Sequence, residues 1–135
     1  MSASNKSTLT FYQNLGKLFY AVAFADKQVR EEESLILQQY VQKYWLDYDH
    51  LTDVFDSDAA HLITIVFEGV HAFEETPEAM YDAFVTYKNE QPHLFTERAN
   101  SLILATARAI AHAYAGINKS ELVILHKLDM ELNRL

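Results

Sequence analysis

The chain of 135 residues contains no cysteine, only three glycines and only two prolines. Without cysteine it can form no disulfide, thiolate zinc site or cysteine nucleophile, and disulfides cannot indicate its compartment. The few glycines and prolines cannot supply a β-sandwich, which needs a turn about every ten residues. Hydrophobic residues make up 50% of the chain and aromatic residues 13%, which excludes a disordered chain. The composition therefore favours one helical domain with a substantial core.

Positive charge is also scarce. The chain has 11 Lys and Arg against 19 Asp and Glu, a formal net charge of −8, and no cluster of basic residues interrupts this pattern. Because nucleic-acid binding depends on cations that displace counterions from phosphates, we expect no nucleic-acid partner.

Long hydrophobic segments are missing as well. The longest uncharged apolar runs, at residues 18–25 and 62–67, are far shorter than the eighteen or more residues that span a bilayer. The first seven residues are polar and lack the apolar segment of a signal peptide. We therefore expect no direct membrane insertion, a cytoplasmic location, a flexible arm at residues 1–7 and a single helical domain at residues 8–135.

Apolar residues recur at intervals of three and four along most of the chain, the period of helices with one buried face. Thr76-Pro77-Glu78 is typical of a helix start, and Pro92 marks the end of the same helix. The pattern predicts an all-α fold, a single compact bundle of about six to seven helices with two related helical hairpins. The predicted helices begin near residues 8, 31, 58, 77, 96 and 118.

Periodicity also predicts which side chains are buried. The second helix is expected to bury Ile36, Leu37, Tyr40, Val41 and Tyr44, and the last helix Leu122, Leu125, Leu128 and Leu132. Gly16 and Gly69 lie inside predicted helices, where glycine costs about 1 kcal/mol relative to alanine. Close helix crossings at both positions are the expected compensation.

The chain contains an internal repeat. Residues 21–33 align without gaps on residues 109–121, an offset of 88, and each copy runs from an Ala-rich helix end through a short turn to a new helix with Glu in its first turn. Val29 and Ile117 occupy the same position in the two turns. Shared packing of these two residues in the core is sufficient to explain the pattern.

This repeat resembles the TerB-like family, named for the tellurite-resistance protein TerB. That family is all-helical and carries an Ala-rich helix that leads into an A-D-G-x-[VI]-x-x-x-E motif, repeated in the second half. The residues that match here are Ala25, Asp26, Val29 and Glu33 in the first copy and Gly116, Ile117 and Glu121 in the second. Lys27 and Gln28 stand where glycine is usual, and Tyr114 occupies the second Asp position. The resemblance covers roughly residues 11–132.

The resemblance implies a non-enzymatic role in resistance to tellurite and other stresses, with metal bound by acidic residues at Asp26, Glu33 and Glu121. The residues themselves allow two interpretations. Asp26 and Glu33 could face each other across the turn and offer oxygen ligands to Ca²⁺ or Mg²⁺. Alternatively, Asp26 caps the amides of the turn and Glu33 stabilises the helix N-terminus, as acidic residues do at most helix starts.

Two other acidic segments are candidate metal-binding sites. Asp47, Asp49, Asp53, Asp56 and Asp58 are spaced like a calcium-binding loop, but Leu51, Thr52 and Asp58 occupy positions where the loop needs an oxygen ligand, Gly and Glu. A solvated acidic connector is the favoured interpretation.

Asp58-x-x-His61 and Glu68-x-x-His71 resemble di-iron motifs. They fall on one predicted helix, where ten residues span about 15 Å, too far for a binuclear centre. A metal-dependent helical enzyme that uses Glu68 and His71 remains the alternative function.

His112 and His126 are expected near the core-facing stripes of their helices, as hydrogen-bonded packing residues. The chain contains no Gly-x-Ser-x-Gly elbow, phosphate-binding glycine loop or dinucleotide fingerprint, so we predict no enzymatic activity.

Tyr40, Tyr44, Trp45 and Tyr48 cluster at the end of the second helix. Amphipathic aromatic side chains are enriched at protein interfaces, although they also occur at core edges. The cluster therefore favours a protein partner or self-association. Together with the TerB-like resemblance, which implies an interaction or sensing module with a divalent-cation site at its acidic residues, it completes the predicted function, and no other cofactor is expected. A homodimeric structural protein is a further alternative.

Overall fold

The computed structural model describes residues 2–25, 29–46, 60–72, 75–113 and 119–133, with side chains described for the same residues apart from 2–8 and 71. Within these ranges the chain forms six α-helices, one π-helical turn, one 3-10 turn and no strand. The helices are α1 Ser2–Ala23, α2 Glu31–Tyr40, α3 His61–Ala72, α4 Pro77–Glu90, α5 Glu97–His112 and α6 Lys119–Leu132. The π turn is Val41–Trp45 and the 3-10 turn is Pro92–Leu94. The predicted all-α bundle is confirmed.

Helix α1 lies at the centre of the bundle. It packs against α3, α4, α5 and α6, and residues 18–23 are all fully buried. A helical segment that is apolar on all sides, as residues 18–23 are, needs neighbours on all sides, which explains this central position. The helix begins at Ser2, before the predicted start at Thr8, and the flexibility expected of residues 1–7 stays a prediction.

Helices α1 and α3 cross closely at Gly16. A Cβ atom added to Gly16 would lie 2.7 Å from the carbonyl oxygen of Ile63 and 2.8 Å from the Cβ of Val66. The predicted close crossing at Gly16 is therefore confirmed. The same prediction for Gly69 is wrong, because an added Cβ would meet no described atom within 4 Å.

Threonine hydroxyls cap the N-termini of α4 and α5. The Oγ1 of Thr76 accepts the N–H of Ala79 at 3.1 Å, and the Oγ1 of Thr96 accepts the N–H of Ala99 at 3.2 Å. Each bond satisfies one of the amides that have no partner inside a helix. Helix α4 ends at Glu90, as Pro92 predicts.

The π turn changes which aromatic side chain is buried after α2. Tyr44, expected in the core, is 46% exposed, whereas Trp45 is fully buried. The Leu46 N–H bonds to the carbonyl of Val41, five residues back, so the turn holds more residues than an α-helical turn. Each residue then advances by less than the 100° of an α-helix, and Trp45 reaches the inward position that Tyr44 would otherwise occupy.

Helix α6 buries Glu121, Leu125, Leu128 and Leu132. Leu122, predicted to be buried, is 61% exposed. At about 100° per residue the four buried side chains form a narrow stripe, and Leu122 lies roughly 90° from its centre. Because α6 contacts only α5 and α1 extensively, one narrow face is covered and Leu122 faces outward.

The two repeat copies adopt the same helical register. Helices α2 and α6 begin at residues 31 and 119, which are separated by the repeat offset of 88. Leu37 and Leu125 also align, and both are buried. Residues 26–28 and 114–118, which the sequence predicts to form the two turns and which include Gly116, lie outside the described residues.

Candidate functional site

Glu33 and Glu121, two of the three predicted cation ligands, occupy equivalent positions in the fold. Each is the third residue of its helix, and they are 1% and 2% exposed. The Oε1 of Glu33 accepts the backbone N–H of Arg30 at 2.7 Å, which is the bond that a capping glutamate makes. The capping interpretation therefore describes the observed contact of Glu33.

The third predicted ligand, Asp26, lies outside the described residues. Among the residues that the structure does describe, no group of three or more His, Cys, Asp or Glu side chains is arranged to hold a metal ion. The cation site at Asp26, Glu33 and Glu121 stays a prediction.

The remaining acidic candidates are only partly described. The calcium-like segment from Asp47 to Asp58 and the side chain of His71 lie outside the described residues. Glu68 is exposed and accepts a hydrogen bond at 2.7 Å from the Oγ of Ser34, which joins α3 to α2. His61 is exposed. The contact that the structure gives Glu68 is thus a surface link between helices.

His112 and His126 are exposed, so the prediction that they lie near the core is wrong. They line a shallow hollow of about 250 Å³ between α5 and α6, together with Arg108, Leu122, Leu125 and Asp129. At about 100° per residue, His112 and His126 lie roughly 180° and 130° from the centres of the buried stripes of their helices.

The predicted aromatic cluster is divided by the fold. Tyr40 and Tyr44 pack together with ring centroids 5.0 Å apart, Tyr44 being half-exposed. Trp45 is instead a core residue whose Nε1 donates to the Oγ1 of Thr106 on α5 at 3.0 Å. Tyr48 lies outside the described residues. Trp45 therefore cannot contribute to a docking surface, and the cluster as predicted is wrong in that respect.

A cleft between α4 and α6 has a volume of about 310 Å³, compared with about 250 Å³ for the hollow between α5 and α6. This size is at the lower end of the range for ligand pockets. Helices α4 and α6 supply its two walls, and Ala25, after the end of α1, also lines it. The residues that line it are Ala25, Pro77, Glu78, Tyr81, Asp82, Ser120, Val123, Ile124 and Lys127. We call it the α4–α6 cleft.

Tyr81 is the buried aromatic residue of the α4–α6 cleft. Its side chain is 7% exposed, and the ammonium of Lys127 lies 4.8 Å from its ring centroid, within cation–π range. Burial, with the charges of Glu131 and Asp82, raises the pKa of the Tyr81 hydroxyl to about 12. At neutral pH the phenol is therefore protonated and can donate a hydrogen bond, but it cannot act as a general base.

A half-buried ion pair joins the same two helices beside the cleft. The Nζ of Lys88 on α4 and the Oε2 of Glu131 on α6 are 3.3 Å apart, with side chains 13% and 11% exposed. This pair positions α4 against α6 and neutralises both charges.

The outer face of α6 exposes large apolar side chains. Leu122 is 61% exposed, Val123 54% and Met130 60%, which are three of the six large hydrophobic side chains exposed among the described residues. The α4–α6 cleft was not predicted from the sequence. One signal was available: α6 carries seven large apolar residues between positions 122 and 132, more than one helix face can bury.

Known proteins give no further guide to the site. No family model, no curated protein and no solved structure matches this chain.

Proposed function

We propose that this chain is a non-enzymatic helical interaction module that binds a protein partner through the outer face of α6. The observation that carries this proposal is the exposure of Leu122, Val123 and Met130 on α6, with Val123 lining the α4–α6 cleft and Leu122 lining the hollow between α5 and α6. Contiguous exposed apolar surface on a protein often marks an interaction site, because water contact with it is unfavourable.

The chemistry of the described side chains supports binding over catalysis. The hydroxyl of Tyr81 holds its proton at neutral pH, and the Glu68 carboxylate is engaged by Ser34 at the surface. The alternative enzyme would need Glu68 as a metal ligand or base, and the structure gives Glu68 a different contact.

The resemblance to TerB-like proteins adds a proposed setting, a stress response of the tellurite-resistance type. In this setting Ca²⁺ or Mg²⁺ would bind at Asp26, Glu33 and Glu121 and act on the turn that precedes α2. The repeat of a buried glutamate at the same position in α2 and α6 supports this part of the proposal. A cytoplasmic location belongs to it as well. None of the described helices is long and apolar enough to cross a membrane.

Site-specific photo-crosslinking in cells tests the interaction module. A photoreactive phenylalanine analogue replaces Val123 or Met130 on α6 in the full chain. We expect a crosslinked product of defined mass from both positions, because a partner that covers this face lies within bond-forming distance.

The matched controls carry the same analogue at Gln13 on α1 and Gln39 on α2, which are also exposed. Equal products from all four positions, or no product from the α6 positions, would contradict the proposal. The mass of the product separates a different partner from a second copy of the 15.5 kDa chain, the homodimer alternative.

A further inference from the structure

We infer that the α4–α6 cleft binds a basic amphipathic helix of the partner protein, with an apolar side chain inserted into the cleft and a Lys or Arg of the partner beside Glu78 and Asp82. This inference rests on the proposed function and specifies the partner's chemistry. Three features of the cleft support it: apolar surface along α6, two exposed carboxylates along α4, and the positive charge of Lys127 over the Tyr81 ring.

The α6 wall offers an apolar seat. Val123 is 54% exposed, Ile124 lines the cleft from the same helix, and Pro77 adds an apolar residue from α4. A cavity of about 310 Å³ accommodates one or two large side chains, not a whole folded element. Side chains spaced three or four apart on a docked helix reach such a groove from one face, as in other helix-in-groove complexes.

The α4 wall is negatively charged. Glu78 and Asp82 are four residues apart, both are exposed, and both line the cleft. Lys88 is the one basic residue in the sequence of α4, and its charge is compensated by Glu131. A partner cation can therefore contact two exposed carboxylates on that wall if it avoids the ammonium of Lys127 over the Tyr81 ring. The net charge of −8 adds long-range attraction for a basic partner and disfavours a second copy of this chain.

Lys127 sets the orientation of the partner helix. Its ammonium reaches across the cleft and lies over the ring of Tyr81 on α4. A partner cation placed over that ring would be repelled by Lys127, and one placed beside Glu78 or Asp82 would be attracted. The arrangement thus admits a basic residue beside the two carboxylates and an apolar residue toward Val123, and it disfavours a basic residue at the Tyr81 ring.

The probe for this inference is a synthetic amphipathic helical peptide of leucine and lysine, compared with a matched peptide of leucine and glutamate. Affinity is measured by fluorescence anisotropy with the full chain, and the contact is located from amide chemical-shift changes in NMR spectra. We expect the lysine peptide to bind, with shifts concentrated at the α4–α6 cleft, and the glutamate peptide to bind at least tenfold more weakly.

Substitutions at the cleft should change the affinity in opposite directions. Asp82→Asn and Glu78→Gln should each weaken the lysine peptide by about two- to fivefold, the range for exposed charge pairs. Lys127→Gln should strengthen it by a similar factor, because it removes a repulsion. Val123→Ser should weaken it by about threefold or more through lost apolar contact.

Matched controls at exposed positions on other elements are Glu97→Gln on α5, Lys43→Gln on the π turn and Leu35→Ser on α2. Cleft and control variants with equal effects would show general attraction to an acidic surface and would overturn the inference. Amide chemical-shift changes centred away from the α4–α6 cleft would also overturn it, as would tighter binding of the glutamate peptide than of the lysine peptide. Crosslinking from α6 that persists in that case would leave the interaction module standing with a partner of different chemistry, whereas loss of crosslinking would remove the module itself.

Discussion

Trp45 shows how one side chain combines packing and polar constraints in this core. It is fully buried against Tyr12 and Phe19, with ring centroids 6.3 and 6.4 Å away, and its indole N–H reaches Thr106 on α5. Thr106 in turn donates its hydroxyl to the carbonyl of Leu102 at 2.8 Å. The hydroxyl of Thr106 thus accepts a hydrogen bond from Trp45 on the π turn and donates one within its own helix.

We expect Thr106→Val to destabilise the protein by about 1–3 kcal/mol, because valine has a similar shape but removes the acceptor that Thr106 offers to the buried indole. Urea unfolding, monitored by the fluorescence of the single tryptophan, measures the change in free energy of unfolding. Thr106→Ser is the control, since serine retains the hydroxyl. A valine variant as stable as the wild type, or less harmful than the serine variant, would contradict this assignment.

At the scale of whole helices, the crossing of α1 and α3 shows why two helical glycines have different roles. Both Gly16 and Gly69 lie within helices, and the local sequence gives no reason to treat them differently. The structure separates them, because only Gly16 faces the backbone of a neighbouring helix within the described part of the chain. Cβ contacts below 3 Å with Ile63 and Val66 would force α1 and α3 apart.

A matched pair of substitutions tests this difference. Gly16→Ala should lower the free energy of unfolding by about 1–3 kcal/mol, the usual cost of forcing an extra methyl group into a packed interface. Gly69→Ala should raise it by about 0.5–1 kcal/mol, because alanine reduces the entropy lost by the helix backbone. Thermal and urea unfolding of the two variants measure both effects. Equal destabilisation by the two substitutions would show that the close approach at Gly16 is not the cause.

Boundaries of several helices were predictable from short signals. Thr76, Pro77 and Thr96 act through contacts within four residues, so their effect is contained in the local sequence. The burial of Trp45 in place of Tyr44 was not predictable, because periodicity analysis assumes 100° per residue and the π turn departs from it. The exposure of Leu122 depended on how many neighbours α6 has, which is also absent from the local pattern.

At the scale of the whole molecule, stability at alkaline pH depends on the contact between α4 and α6. The pKa of Tyr81 is raised to about 12 in the folded protein, chiefly by burial and then by Glu131 and Asp82, from an ordinary value of 10.0. The neutral phenol therefore favours the folded state. Its contribution is fully present below pH 10 and is lost as the pH rises from about 10 to about 12, because the unfolded chain releases the proton first.

We expect the free energy of unfolding to fall across this pH interval and Tyr81→Phe to reduce the slope of that fall. Phenylalanine retains the ring beneath Lys127 and removes the titrating hydroxyl. Urea unfolding at a series of pH values measures the slope, and ultraviolet absorbance of tyrosinate reports the titration directly. Identical slopes for the wild type and the variant would show that ionisation of Tyr81 does not contribute to alkaline unfolding.

The amino-acid sequence by itself determined the all-α class, the acidic surface and several helix boundaries, because periodicity, charge and helix capping are local properties. It also indicated Glu33 and Glu121 as equivalent residues of a repeat, and the structure places both in the same buried position. The tertiary structure decided what depends on neighbours: that Trp45 is core rather than surface, that His112 and His126 face outward, and that α6 exposes Leu122 and Val123. The α4–α6 cleft belongs to this second group, because its walls are far apart in the sequence and are brought together by packing against α1 and by contacts such as the Lys88–Glu131 ion pair.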